Sequence, residues 1–352
     1  MASALDTFRR APFGVSDALR HAQGQALAAF GLGPSERDYR IVASGRFWRL
    51  RDYGGSVTRP TLLIVAAPIK KPYIWDLSPS ASAIRHCLRQ GLHVRLLEWL
   101  PASATTGNNG LAEYVEAIAE CVAASSRRHA TVRPFLAGHS LGGTLAAISG
   151  TLAPGSIQGL MLLGAPLSFQ PASSPFRDAL VSLVPSGFSD SILYPGSLLS
   201  HVSALASPDT FVWARLADAA LSLGDAQTLE LHARVEHWAL DEAALPGRLV
   251  HQLIEWLYRE NRLCRGELMI GDRAADPRNM SAPTLVVVTA TDDIAPKASV
   301  EPFVEAMPAK DVRVIEYAGD VGVCLQHLGI LIGQKAHARI WPKITAWIEA
   351  HA

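Results

Sequence analysis

One serine in the middle of the chain has the surroundings of a nucleophile. The segment GHSLG (138–142) matches the pattern G-x-S-x-G, with the apolar run VRPFLAG (132–138) before it and the small-residue run LGGTLAAISGTLA (141–153) after it. A strand, a sharp turn and a helix in that order project a side chain above the sheet, and glycines flank it because side chains there would clash. We therefore predict that Ser140 is a nucleophile and that the amide of Leu141 donates to an oxyanion. The alternative is a tight turn in which the serine is incidental.

A serine hydroxyl needs a base to take its proton, and the base needs an acid to orient it. The segment VVVTATDDIAPKA (286–298) places two aspartates directly after an apolar run, where a loop acid belongs. Asp292 is the better candidate, because an isoleucine and a turn-fixing proline follow it in the pattern D-x-I-x-P. Asp293 is the alternative, and either aspartate could instead cap a loop or a helix.

The candidate base is His327, in the segment GDVGVCLQHLGILIG (319–333). It completes the chain order nucleophile, acid, base that is expected for a strand–turn–helix serine of this kind. His337 is the rival, although its surroundings read as a helix and favour a place on the helix face. His139 directly precedes the serine, and we expect its side chain to point away from Ser140.

A second oxyanion donor should follow the apolar run TLLIVAAP (61–68), and the amide of Ile69 is the natural candidate. The sequence carries no H-E-x-x-H motif and no clustered set of Asp, His and Cys, so we predict no metal site. The glycines in IQGLMLLG (157–164) lack the G-x-G-x-x-G spacing, so no dinucleotide cofactor is expected.

The elements that must position these residues are short apolar runs separated by helical patterns. Such runs are typical of strands that are buried on both faces of a parallel sheet. The six runs are TLLIVAAP (61–68), HVRLLEW (93–99), VRPFLAG (132–138), IQGLMLLGAP (157–166), PTLVVVTA (283–290) and VRVIEYA (312–318). Their alternation with helices predicts an α/β fold with a doubly wound, mostly parallel sheet. A hairpin is expected earlier, in DYRIVASGRFWRLRDYG (38–54).

The alternation of strand and helix patterns divides the chain into four parts. We predict an N-terminal helical segment at 1–40 and a first core part at 41–166. A helical cap is predicted at 167–275, because this stretch has serine- and proline-rich turns and amphipathic helices but no comparable strand run. The second core part follows at 276–352. A cap inserted there would cover the carboxyl ends of the strands. Its tryptophans, Trp213 and Trp256 among them, could line a pocket, although tryptophan at helical spacing is more often core.

Composition limits the classes of function. The chain has 352 residues, 49% hydrophobic and 18% charged, with a formal net charge of zero. It carries neither a basic nucleic-acid footprint nor a polybasic membrane patch. Scattered cysteines suggest free thiols in a reducing compartment; they are Cys87, Cys121, Cys264 and Cys324. Without a signal peptide or an apolar run near the roughly 18 residues of a membrane span, we expect a soluble, cytoplasmic protein.

Two long segments resemble the polyhydroxyalkanoate synthases. They are PIKKPYIWDLSPSASAIRHCLRQGLHVRLLEW (68–99) and WALDEAALPGRLVHQLIEWLYRENRLCRGELMIGDRAADPRNMSAPTLVVVTATDDIAP (238–296), with YRENRLCRGEL (258–268) the most specific part. Together with GHSLGG and HLGILIG, the resemblance covers roughly residues 60–345. The stretch from about 170 to 230 has no match.

The resemblance implies an α/β-hydrolase core with a mobile cap, and hydroxyacyl-coenzyme A or polyester substrates. It places the family's nucleophile on Ser140, its acid on Asp292 and its base on His327, and because members often pair, it makes a homodimer an expectation. The chain departs from the family at the nucleophile, where the synthases carry cysteine in G-x-C-x-G. A serine ester is lower in energy than a thioester and needs a general base at each step, so serine favours hydrolysis.

Three functions remain open from sequence. The first is a serine acyl hydrolase of the esterase, thioesterase or depolymerase type that acts on hydroxyacyl substrates. The second is an acyltransferase that polymerises hydroxyacyl-coenzyme A in the manner of a synthase. The third is a non-catalytic accessory protein of polyester metabolism, which the filled positions of Ser140, Asp292 and His327 disfavour. In each enzyme reading the partner is an acyl substrate, coenzyme A enters only as part of a substrate, and no nucleic acid or membrane is expected.

Overall fold

The centre of the molecule is a large, mostly parallel sheet. The computed structural model describes residues 2–126, 133–320, 323 and 326–352. Twelve strands lie within these residues: β1 Arg40–Ser44, β2 Trp48–Gly54, β3 Thr61–Val65, β4 His93–Trp99, β5 Phe135–His139, β6 Gly159–Leu163, β7 Leu193–Tyr194, β8 Leu245–Pro246, β9 Leu268–Ile270, β10 Arg273–Ala275, β11 Thr284–Thr289 and β12 Val312–Tyr317.

Eight of these strands form the large sheet, in the order β1-β2-β4-β3-β5-β6-β11-β12. The pairs β1/β2 and β2/β4 are antiparallel, and every other neighbouring pair is parallel. The predicted α/β class and mostly parallel sheet are therefore confirmed, as each of the six apolar runs contains one of the parallel strands. The predicted hairpin is the β1/β2 pair.

Helices flank the sheet. Within the described residues they are α1 Ala2–Leu27, α2 Ala83–Arg89, α3 Leu111–Ser126, α4 Leu141–Leu152, α5 Pro175–Leu183, α6 Gly196–Ala206, α7 Ala214–Ser222, α8 Ala226–Leu240, α9 Gly247–Gln252, α10 Arg262–Arg265, α11 Glu301–Ala306, α12 Gly329–Ile332 and α13 Trp341–Ala350. Shorter helical turns include Gln326–Leu328, directly before α12. The helical turn Ala28–Leu32 continues α1 and contains Gly31, whose φ of 78° is left-handed. Glycine adopts this conformation readily, so the first helical segment can end here.

The core lies between the sheet and its helices. Strands β4, β5, β6 and β11 are buried along their whole length, which explains why their sequences are nearly continuous apolar runs. Helix α4 is buried from Gly142 to Thr151, so it is covered on all sides. Its small residues permit this, because a helix of Gly, Ala, Ser and Thr can approach the neighbouring backbone closely.

Residues 167–275, which we call the cap, contribute no strand to the large sheet and carry α5 to α10. Part of the cap forms a second apolar cluster, made by Phe176, Leu180, Ala206, Leu245, Val250 and Ile254. Ile69, after β3, and Ile294, after β11, pack against this cluster from the core side. The cap therefore contacts the loops that follow the carboxyl ends of two parallel strands.

Among the described residues, no helix combines the length and the apolarity that a bilayer crossing requires. Cys87, Cys121 and Cys264 are free thiols, and Cys324 lies outside the described residues. Trp213 is 62% exposed, and Trp256 is half-buried with the guanidinium of Arg262 over its ring.

Candidate active site

Ser140 sits in a strained turn between β5 and α4. Its φ of 55° and ψ of −133° lie in a region that residues with a side chain rarely adopt. Three glycines make the turn possible. A Cβ on Gly138 would lie 2.5 Å from the backbone of Gly142, one on Gly142 would lie 2.3 Å from the carbonyl oxygen of Val65, and one on Gly143 would lie 2.8 Å from the carbonyl oxygen of Gly138. The turn is thus held by backbone packed directly on backbone.

The backbone of Ser140 is fixed on both sides. Its N–H donates to the carbonyl oxygen of Leu163 at the end of β6, at 3.1 Å, and its carbonyl accepts from the N–H of Gly143 and Thr144. Leu141 is the first residue of α4, and an N–H at that position has no partner within the helix. This N–H is available to an oxyanion that forms at Ser140.

Asp292 and His327 form a buried pair. His327 Nδ1 donates to Asp292 Oδ2 over 2.6 Å, and the two side chains are 5% and 1% exposed respectively. The other carboxylate oxygen, Oδ1, accepts from the N–H of Ile294 and of Ala295. Burial by itself raises the pKa of Asp292, but His327 and the two amides outweigh it and lower that pKa below its ordinary value. The carboxylate stays ionised and fixes the tautomer of His327.

The outer nitrogen of His327, Nε2, is buried and makes no hydrogen bond to any described residue. A buried polar atom without a partner is rare in native proteins and marks a position that a reaction partner can occupy. The pair adjoins the end of β6, because a Cβ on Gly164 would lie 3.6 Å from both Asp292 Oδ2 and His327 Cε1. Gly164 directly follows the residue that binds the Ser140 N–H, so the structure brings Ser140, Asp292 and His327 to one place.

Asp293 has different contacts from its neighbour. It is exposed, and its Oδ2 accepts a hydrogen bond from Thr210 Oγ1 of the cap at 3.0 Å. Ser207 Oγ donates in turn to Thr210 Oγ1 over 2.7 Å. Asp293 therefore links the loop after β11 to the cap, whereas Asp292 is the aspartate that bonds His327, which separates the two candidate acids.

Ile69 lies in the loop after β3, and the cap holds this loop firmly. The carbonyl of Ile69 accepts from the N–H of Ala243, and the carbonyl of Lys71 accepts from the indole of Trp238. Lys70 Nζ donates to Glu242 over 2.6 Å, and burial lowers the pKa of Lys70 to about 8 although Glu242 opposes that shift. These contacts fix the backbone that carries the Ile69 amide.

The other two histidines named from sequence, His337 and His139, each donate to a main-chain carbonyl. His337 Nε2 donates to the carbonyl of Leu331 over 2.8 Å, and burial lowers its pKa to about 4. His139 Nε2 donates to the main-chain carbonyl of His327, also over 2.8 Å. Sequence reasoning missed this contact of His139, because it joins residues 188 positions apart. Among the described residues, no group of three or more His, Cys, Asp and Glu is placed to hold a metal ion.

The chain is similar in sequence to several known proteins. Residues 102–205 match the family described as serine aminopeptidase, S33. The chain is 29% identical over 295 residues to the poly(3-hydroxyalkanoate) polymerase subunit PhaC of Haloferax mediterranei, covering 81% of this chain and 58% of that protein. It is 26% identical over 297 residues to the corresponding subunit of Synechocystis, covering 82% of this chain and 77% of that protein. The chain thus matches little more than half the length of the Haloferax relative.

A solved structure gives the same picture of the fold. A soluble variant of monoglyceride lipase from Saccharomyces cerevisiae superposes with a TM-score of 0.57 at 13% identity, covering 90% of this chain and 96% of that one. The chain has the α/β-hydrolase fold, and its sequence resembles that of the polyhydroxyalkanoate polymerases, so both expectations are confirmed.

The backbone contact at the turn generates a first prediction. Gly142→Ala should lower the free energy of unfolding by about 1–3 kcal/mol, because the new methyl group meets the main chain of Val65 and not a side chain that can rotate away. Chemical denaturation measures this value. Gly155→Ala is the matched control, since a Cβ there meets no atom within 4 Å. Equal stability of the two variants would contradict the packing argument.

The different contacts of the two aspartates generate a second prediction. Asp292→Asn should reduce turnover of an ester such as p-nitrophenyl butyrate by roughly 10⁴-fold, because the amide can present its N–H to His327 and favour the wrong tautomer. Asp293→Asn keeps an acceptor for Thr210 and should change turnover by less than about threefold. The reverse order of the two effects would assign the acid to Asp293.

Proposed function

We propose that this chain is a serine acyl hydrolase that acts on hydroxyacyl esters or thioesters through a covalent acyl-enzyme. One observation carries the proposal. The buried Asp292–His327 pair leaves His327 Nε2 without a partner, next to the strained turn that presents Ser140. An ionised acid, an oriented base with a free nitrogen and a serine at a helix N-terminus are the parts of a serine hydrolase.

The first half-reaction follows from these parts. His327 Nε2 takes the proton of Ser140 as Oγ attacks the acyl carbonyl, and the charge that develops on the carbonyl oxygen is stabilised by the N–H groups of Leu141 and Ile69. When the tetrahedral intermediate collapses, the bond to the leaving alcohol or thiol breaks and His327 returns the proton to it. The acyl group is then esterified to Ser140.

The second half-reaction mirrors the first. Water loses a proton to His327 Nε2 and attacks the acyl-enzyme, the bond to Ser140 Oγ breaks, and the proton returns to Ser140. Asp292 stays ionised throughout and stabilises the imidazolium that forms twice in each turnover. This chemistry needs no metal and no cofactor, and coenzyme A would enter only as the leaving group of a substrate.

The proposed substrate class rests on the relatives and on the cap. The matched relatives are named as poly(3-hydroxyalkanoate) polymerases. The cap adds an apolar cluster that contacts the loops on both sides of the proposed site through Ile69 and Ile294. A hydroxyacyl chain has an apolar body and a neutral polar group, which fits these surroundings and the zero net charge.

Acyl transfer to a hydroxyl is the second candidate, and similarity to polymerases over 81% of the chain favours it. In that reaction the hydroxyl of a second hydroxyacyl group replaces water in the second half-reaction, and the product is an ester of two units. Serine at position 140 argues against it, because an oxyester is a poorer acyl donor than a thioester. We further propose that the enzyme is cytoplasmic. The resemblance to the polymerases makes a homodimer the expected state, which size-exclusion chromatography tests.

Ser140→Ala should abolish both ester turnover and stoichiometric labelling by a fluorophosphonate probe, because the alanine offers no oxygen to acylate. Mass spectrometry of the labelled peptide locates the modified residue. Ser149→Ala is the matched control, since that serine lies in α4, the helix that Ser140 precedes, and is buried. The Ser149→Ala variant should be labelled at the rate of the parent. Full labelling of Ser140→Ala would remove the nucleophile and with it the proposed function.

The choice of acceptor is tested with 3-hydroxybutyryl-coenzyme A. We expect thiol release accompanied by free 3-hydroxybutyrate, because a serine acyl-enzyme with a working base is hydrolysed. Thiol titration measures the first product, and mass spectrometry distinguishes the free acid from dimers and longer oligomers. Ester-linked oligomers as the main product would favour the acyltransferase.

A further inference from the structure

His139 connects the turn that carries Ser140 to the loop that carries His327. It is the last residue of β5 and directly precedes Ser140. Its Nε2 lies 2.8 Å from the main-chain carbonyl oxygen of His327, and the two imidazole rings contact each other with centroids 4.6 Å apart. His139 therefore touches both the backbone and the ring of the proposed base.

The direction of this hydrogen bond follows from burial. Burial, together with the nearby His327, lowers the pKa of His139 to about 3, so His139 is neutral at physiological pH. A neutral imidazole carries one N–H, and a carbonyl oxygen can only accept. The proton of His139 must therefore be on Nε2, and the imidazole acts as a fixed donor to the His327 backbone.

The hydrogen bond from His139 holds the His327 backbone at a defined point. His327 lies in the short helical turn Gln326–Leu328, directly before α12, and its main-chain carbonyl accepts from His139. His327 is held by its side chain on one side, through Asp292, and by its backbone on the other, through His139. Two anchors at different points of one residue restrict both where the imidazole sits and how it is turned.

We propose that His139 is a positioning residue for the catalytic base. The Nε2–H of His139 holds the main chain of His327, so that the Nε2 of His327 faces the hydroxyl of Ser140, the residue that follows His139. The inference rests on the proposed function, because it matters for turnover only if His327 acts as the base. The proposal assigns a role to His139, which occupies the first variable position of G-x-S-x-G in this chain. The end of β5 would then carry the residue that positions the base, directly before the nucleophile Ser140.

Three variants of His139 separate the effect of the hydrogen-bond donor from the effect of the side-chain volume. His139→Phe keeps a ring against His327 and removes the N–H. His139→Gln keeps an amide N–H at a similar distance from the backbone, and His139→Met has almost the shape of that glutamine without the donor. His337→Phe is the matched control, because it removes a His-to-carbonyl bond of the same 2.8 Å length from a half-buried histidine that is bonded to Leu331.

The measurements are kcat and KM for p-nitrophenyl butyrate and the second-order rate constant of fluorophosphonate labelling. We expect His139→Phe and His139→Met to lower kcat and the labelling rate together by about 10- to 100-fold, since a misplaced base slows acylation, with KM changed less than about twofold. His139→Gln should recover both rates to within about fivefold of the parent. His337→Phe should leave both rates near the parent values even where its thermal midpoint falls.

The outcomes distinguish the two levels of the argument. If the parent is not labelled at Ser140, the proposed function fails, whatever His139 does. If the parent is labelled and His139→Met or His139→Phe labels as fast, the inference alone is wrong. Equal losses in His139→Gln and His139→Met would also overturn it, because they would show that ring packing and not the donor matters. Should His139→Phe fail to fold, the Gln and Met pair decides alone.

Discussion

The contact of backbone on backbone at the start of α4 is the constraint on which the rest of the site depends. Ser140 holds a conformation that costs on the order of 1–3 kcal/mol, and it persists because the surrounding structure leaves no alternative. Gly142 lies against the main chain that follows β3, and Gly138 lies against the first turn of α4. The same approach that strains the serine places beside it the amide of Leu141, which has no partner within the helix.

The parallel sheet then supplies the partners. β5, β6, β11 and β12 are adjacent and run in the same direction, so the loops after their carboxyl ends meet at one edge. Ser140 follows β5, Gly164 follows β6, Asp292 follows β11, and His327 follows β12. Residues almost two hundred positions apart in sequence become neighbours without any long connection through the core. Gly164, with a φ of 50°, adjoins both Asp292 and His327 at this edge.

Much of this arrangement could be predicted from sequence, and the reasons are local. Apolar runs that are buried on both faces identify the parallel strands, and the glycines around Ser140 identify the turn. The preference for Asp292 over Asp293 used Ile294 and Pro296, and in the structure the amides of Ile294 and Ala295 donate to the carboxylate of Asp292. What could not be predicted depends on long-range contact: the bond of Asp293 to Thr210, the pairing of Lys70 with Glu242, and the bond of His139 to the His327 backbone. None of these leaves a periodic trace in the sequence.

The oxygen at position 140 makes the placement of the base more important than it would be with sulfur. A thiolate can form before it meets its substrate and is a good leaving group afterwards, whereas a serine needs its proton removed during attack and returned during release. In the proposed mechanism His327 acts as the base in both half-reactions, so an error in its position slows both steps of each turnover. A serine enzyme of the kind proposed here therefore has more need of a rigidly held histidine than a cysteine enzyme would have. The two anchors of His327, one on the imidazole through Asp292 and one on the main chain through His139, meet that need.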